Sequence, residues 1–132
     1  MITMASITQP RITAAGPLPH DSNVWEVTIE FDVAFRENEL GLEFNDAVKL
    51  WEDDHGNIFG GGDDEIMPYP IPDTFTADDF IVSRQWNLTA FRDQLDTESG
   101  DEELKAQIWL RRADMGGPAD DERFTPIFEI SP

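Results

Sequence analysis

The sequence predicts an all-β protein, an antiparallel β-sandwich of seven to eight strands with at most one short helix. Three observations predict it. Apolar and polar residues alternate with a period of two in several stretches, turn-forming residues separate those stretches, and only one short run has helical spacing. Nine Phe and four Trp in 132 residues supply the bulk of a core. A small barrel is the other closure these strands allow. The length suits a single domain over 1–132, with 1–22 as a partly irregular N-terminal segment.

Pro10, Pro17 and Pro19 lie in that first segment, and a short extended piece is read at 7–14, confined to a sheet edge by Pro10. The clearest element comes next. Trp25, Val27, Ile29, Phe31, Val33 and Phe35 alternate with Glu26, Thr28, Glu30, Asp32 and Ala34, giving a strand with one core face and one wet acidic face. Residues 36–46 read as an acidic loop, or as a short strand on the alternation of Leu40, Leu42 and Phe44. A strand is expected at 47–51. Another at 66–71 is an edge or an extended connector, because Pro68, Pro70 and Pro72 cannot donate to a ladder.

Phe80, Val82, Arg84 and Trp86 alternate again and predict a strand over 79–87. Leu88, Phe91 and Leu95 share one helical face, which predicts the short helix at 88–95. Leu104, Ala106, Ile108 and Leu110 make a further strand, with Lys105, Gln107, Trp109 and Arg111 on its other side. Residues 124–130 close the chain, with Pro126 marking an edge.

Charge is the second large fact. The 28 acids outnumber nine bases, only two of them lysines (Lys49 and Lys105), and the net charge is −19. Such self-repulsion works against a compact state at low salt. It suits a protein working in concentrated salt, where screening shortens to about 3 Å at 1 M, or one with a cationic ligand or partner. Scarce lysine and an even spread of acids favour the first.

No basic stripe is present, so direct nucleic-acid binding is not expected. No apolar run approaches the roughly 20 residues of a transmembrane helix, and contact with an anionic membrane would need bridging cations. Residues 1–16 lack a basic start and an apolar run, so no secretion leader is read there; the compartment stays open, with a cytoplasmic location favoured over others. The absence of Cys removes disulfides, thiolate metal sites and a cysteine nucleophile.

The sharpest candidate site is a loop in which Glu52, Asp53 and Asp54, then Gly60-Gly61-Gly62, then Asp63, Asp64 and Glu65 follow the apolar run Val48, Leu50, Trp51. Like charges that close need an offset: a bound cation, raised carboxyl pKa values, or spreading into water. Strands running up and down would place the 52–65 and 93–103 loops at one pole, adding Asp96, Glu98 and Asp101 to the set. Calcium fits this chemistry, since it takes six to eight oxygen ligands and glycine lets backbone carbonyls join them. An EF-hand does not fit, because counting from Asp53 or Asp54 puts no Gly at position six. A solvated acidic hairpin holding only diffuse cations is the other reading. His55, inside the loop, suits a salt bridge to its acidic neighbours, or zinc rather than calcium.

The stretch Val48-Lys49-Leu50-Trp51-Glu52-Asp53-Asp54, followed by Asp63-Asp64-Glu65-Ile66, resembles an acidic loop of C2 domains over about 20 residues. The resemblance implies an eight-stranded sandwich that binds calcium at one pole. The adjacent aspartates and the long glycine-rich insert depart from that family's pattern.

No nucleophile-elbow or phosphate-binding motif occurs, and paired carboxylates are inevitable among 28 acids, so no enzymatic activity is expected. Trp25 and Trp86 fall on core faces. Trp51 and Trp109 fall opposite to the apolar sets of their strands, where exposure would make them a sugar- or protein-binding platform and burial a second core face. The expected function is a non-enzymatic binding or structural module with acidic calcium-responsive loops. The alternative is a subunit of a larger assembly, joined through sheet edges (the proline-bearing strands) or acidic faces without metal.

Overall fold

The structure, a computed structural model, describes residues 4–53, 64–67, 71–95 and 101–132. The strands are β1 (Ser6–Leu18), β2 (Asp21–Ala34), β3 (Glu43–Glu52), β4 (Asp64–Met67), β5 (Asp73–Thr76), β6 (Ile81–Phe91), β7 (Glu102–Arg112), β8 (Asp121–Phe124) and β9 (Phe128–Ile130). A 3-10 turn at Glu37–Glu39 and a single helical turn, α1 (Arg92–Leu95), complete the described elements.

Two antiparallel sheets pack face to face. One has the order β1-β2-β6; the other is built on the central pair β3 and β7. Along the outer side of β3 run β4, against Leu50 to Glu52, and β5, against Glu43 to Asp46. Along the outer side of β7 run β8, against Gln107 to Leu110, and β9, against Glu102 to Leu104. The strands among the described residues number nine rather than seven or eight because both edges of this second sheet are broken in two. Pro126 marks the second break, where Thr125 substitutes for strand pairing: its N–H donates to the Ala106 carbonyl at 2.9 Å, and its Oγ1 accepts from the Ala106 N–H at 3.0 Å.

Period two decides which residues face the core. Val27, Ile29, Phe31 and Val33 of β2 meet Val48 and Leu50 of β3 and Leu104, Ile108 and Leu110 of β7 in one fully buried cluster. Each such side chain contributes about 1.5–3 kcal/mol on burial. Phe35, Phe44 and Phe75 extend the cluster toward β5, the first two with ring centroids 4.8 Å apart.

The closing strand, read at 124–130, is split into β8 and β9. Of the strand read at 66–71, β4 holds 66 and 67, while 68–70 lie outside the described residues. Four further segments differ from the sequence expectation. The first strand spans Ser6–Leu18 rather than 7–14; it does lie at a sheet edge, and Gln9 at φ 52° absorbs the irregularity beside Pro10. Residues 43–46 belong to β3, so the strand at 47–51 is twice the expected length. Residues 73–76, where no strand was expected, form β5. Leu88 and Phe91 continue β6 instead of opening a helix, because β2 supplies partners that far: Leu88 sits opposite Val27 and Phe91 opposite Val24. Pairing in the sheet outweighs the helical spacing, and only 92–95 turn.

Candidate binding face and acidic pole

The β3–β7 register sets two very different surfaces. Inner positions are apolar except for Asp46, Glu52 and Glu102, all three buried, and Arg112, half-buried at the end of β7. Outer positions pair Asn45 with Arg111, Ala47 with Trp109, Lys49 with Gln107, and Trp51 with Lys105. Both tryptophans and both lysines of the β3–β7 pair therefore share one outward face, and all four are half-buried. Trp51 lies four residues from Ala47, the residue opposite Trp109, so the two positions are offset by about 13 Å along the strands.

Side-chain contacts fix this face. Trp51 Nε1–H donates to Gln107 Oε1 at 3.0 Å. Lys49 Nζ lies 4.7 Å from the Trp51 ring centroid and 2.9 Å from Glu65 Oε2. The Arg111 guanidinium stacks over Trp109 at 4.9 Å and donates to the Gly117 carbonyl, and Lys105 lies 4.8 Å over Phe124 on the adjoining edge. Cation–π contacts of this kind hold long basic side chains flat against rings. They also cover one side of each indole, which leaves less room for a sugar ring to stack.

The acidic pole forms where β3 ends and β4 and β7 begin. Glu52 is opposite both Asp64 and Leu104, and the Asp53 N–H donates to the Glu103 carbonyl at 2.8 Å. Of the nine candidate calcium ligands, Asp54, Asp63, Asp96 and Glu98 lie outside the described residues, and so does the side chain of Asp64. The remaining four point in different directions. Glu52 turns into the core, Glu65 turns outward to Lys49, Asp53 is half-buried, and Asp101 accepts a hydrogen bond from the Ser131 hydroxyl. Strand alternation is the reason: neighbouring acids on one strand face opposite sides of the sheet. Among the described residues no group of three or more His, Cys, Asp or Glu side chains gathers to hold a metal ion.

One charged cluster was not anticipated. Arg84 of β6 crosses between the sheets to Asp46 of β3, with Nε 2.8 Å from Oδ2 and Nη2 3.1 Å from Oδ1, and Nη2 also reaches Asp73 Oδ2 of β5 at 2.7 Å. Its guanidinium lies 4.3 Å over the Phe75 ring. Burial dominates at Asp46 and holds its pKa above the usual carboxylate value, although hydrogen bonds and attraction from Arg84, and the nearby Trp86 N–H, act against it. Exposed Asp73 moves the other way, its pKa lowered chiefly by its hydrogen bond to Arg84. For Arg84, burial acts against the charge, and the two carboxylates together outweigh it and raise the pKa. The signal was in the sequence: Asp46 and Arg84 each occupy an apolar phase, Phe44-Asp46-Val48 and Val82-Arg84-Trp86.

Neither a protein-family model nor a curated protein sequence matches this chain. The fold is similar to that of solved structures of a bacterial adhesin from Mobiluncus mulieris that contains intramolecular disulfide, isopeptide and ester bond cross-links. In one crystal form the TM-score is 0.59 at 12% identity over 94% of this chain. In a second form the TM-score is 0.58 at 11% identity, again over 94% of this chain. The chain spans about half the length of the adhesin chain, 49% and 50% respectively. Together with the two packed sheets, this places the protein among antiparallel β-sandwiches. No helix among the described residues is long and apolar enough to cross a membrane.

Proposed function

We propose that this protein is a non-enzymatic binding module that engages a protein partner through the outer face of β3 and β7. The observation that carries the reading is the gathering of Trp51, Trp109, Lys49, Lys105 and Arg111 on one face of a chain with net charge −19. Tryptophan and arginine are the side chains that most often dominate protein interfaces, and rings held by cation–π contacts lose little freedom on binding. The fold shared with an adhesin supports a binding role. The covered indole faces favour a protein over a glycan as the partner.

The test is surface plasmon resonance of the wild-type chain and a Trp51→Ala/Trp109→Ala chain over an array of purified proteins and glycans. A protein ligand whose affinity drops at least about 30-fold in the double variant, a loss of two interface anchors of about 1 kcal/mol or more each, with folding unchanged, supports the reading. Ligands bound equally by both chains, or confined to glycans, count against it.

A calcium-responsive pole is the second reading, favoured by the burial of two acids, Glu52 and Glu102, on adjacent strands at the end where the candidate loops meet. On that reading, acids of 54–63 and 96–100 complete the oxygen set, and the wider excess of charge adapts the surface to concentrated salt.

A further inference from the structure

We propose that the free edge of β6 pairs antiparallel with β6 of a second copy of this chain, joining two three-stranded sheets into one. A strand edge presents unpaired N–H and C=O groups, and proteins that stay monomeric usually blunt such edges with prolines, bulges or charges. Three edges of this sandwich are blunted. β1 carries Pro10, Pro17, a left-handed Gln9 and three shifts of register. The β4–β5 line does not run through Pro72, just before β5, and the β8–β9 line is interrupted at Pro126.

The β6 edge is different. Its eleven residues run against β2 without a shift, contain no proline, and among the described residues no strand pairs with their other side. In a chain with 28 acids, β6 contains none, and its single charge, Arg84, is turned inward to Asp46. An acid-free edge lets two copies of charge −19 approach with less repulsion than an acidic one would.

Backbone phase and side chains both suit self-pairing. The Phe35 N–H donates to the Phe80 carbonyl at 2.8 Å, so Val82, Arg84 and every second residue turn their backbone groups toward β2. Ile81, Ser83, Gln85, Asn87 and Thr89 turn theirs to the open edge. A two-fold axis at Trp86 keeps inner faces continuous. It sets Gln85 opposite the partner's Asn87, Ser83 opposite the partner's Thr89, and Ile81 opposite the partner's Phe91. Amide meets amide, hydroxyl meets hydroxyl, and two large apolar side chains, 62% and 64% exposed in the single chain, cover each other. Gln85, Trp86 and Asn87 line a pocket of about 430 Å³ together with Ile71, Pro72 and Asp73.

Sedimentation velocity at 0.1 M and 1 M NaCl tests this, with a cross-linking readout that the cysteine-free chain keeps clean. The expected result is a monomer–dimer equilibrium strengthened at least about ten-fold by the higher salt. Asn87→Pro, which removes an N–H that β2 does not use, abolishes the dimer while the far-UV spectrum and melting temperature stay near wild type. Gln85→Cys/Asn87→Cys oxidises to a linked dimer, whereas Thr8→Cys on β1 does not. A monomer at both salts overturns the proposal and leaves the edge to another protein's strand or to a segment of the same chain. A dimer that survives Asn87→Pro, or a ladder of higher oligomers, overturns it as well.

Discussion

The guanidinium of Arg84 and the carboxylate of Asp46 form a two-point ion pair between the sheets, at 2.8 and 3.1 Å, with the Asp46 side chain fully buried. Removing one member of such a pair leaves the other charged in a low-dielectric site; replacing both with apolar groups leaves nothing to solvate. Arg84→Met should therefore cost about 3–5 kcal/mol, and Asp46→Leu/Arg84→Met should recover most of it. Urea unfolding of the three chains measures this. A double variant no better than the single one would show that the pair itself, rather than uncompensated charge, carries the stability.

Acidity should expose opposite slopes at the two carboxylates of this cluster. Asp46 has a raised folded pKa, so the folded state takes up its proton first, and its contribution to stability grows as pH falls through that raised value. Asp73 has a lowered folded pKa; its contribution is present above the ordinary value of 3.8 and is lost as pH falls through the lowered one. Between neutrality and pH about 3, the stability gap to Asp46→Asn should widen and the gap to Asp73→Asn should narrow. Parallel curves from melting temperatures across that range would contradict the assignment.

Salt and calcium should be separable by thermal unfolding in low salt, about 2 M KCl, 1 mM CaCl₂ and 1 mM MgCl₂. Concentrated KCl should raise the melting temperature by screening the −19 charge. A discrete pole adds a selective calcium shift, because a ligand stabilises only the state that binds it. That shift should disappear in Glu52→Gln/Glu102→Gln. Equal effects of calcium and magnesium, or a shift that survives the double variant, would remove these two residues from the site.

Much of the sandwich was legible because period-two alternation is a local signal. The eleven-residue run from Trp25 to Phe35 and the alternation from Leu104 to Leu110 sit where their patterns put them, within β2 and β7 or just beyond their ends. What sequence could not show is set by partners distant in the chain. Leu88 and Phe91 are spaced for a helix and extended by β2, and β5 forms only because Glu43 to Asp46 offers it an edge. The same holds for the sites. The outward phase of Trp51 and Trp109 could be read from alternation, but their being on neighbouring strands required the β3–β7 pairing. Asp46 and Arg84 looked like members of an acidic loop and an ordinary strand until the sheets were stacked.

The most direct test of the binding face compares wild-type, Trp51→Ala/Trp109→Ala and Asn87→Pro chains for affinity toward one protein ligand found on the array, each at a concentration where it is monomeric. The account predicts wild-type affinity for Asn87→Pro and a loss of at least about 30-fold, or 2 kcal/mol, for the double tryptophan variant. Full affinity in the tryptophan variant, with the fold intact, would contradict the assignment of the β3–β7 face as the binding surface.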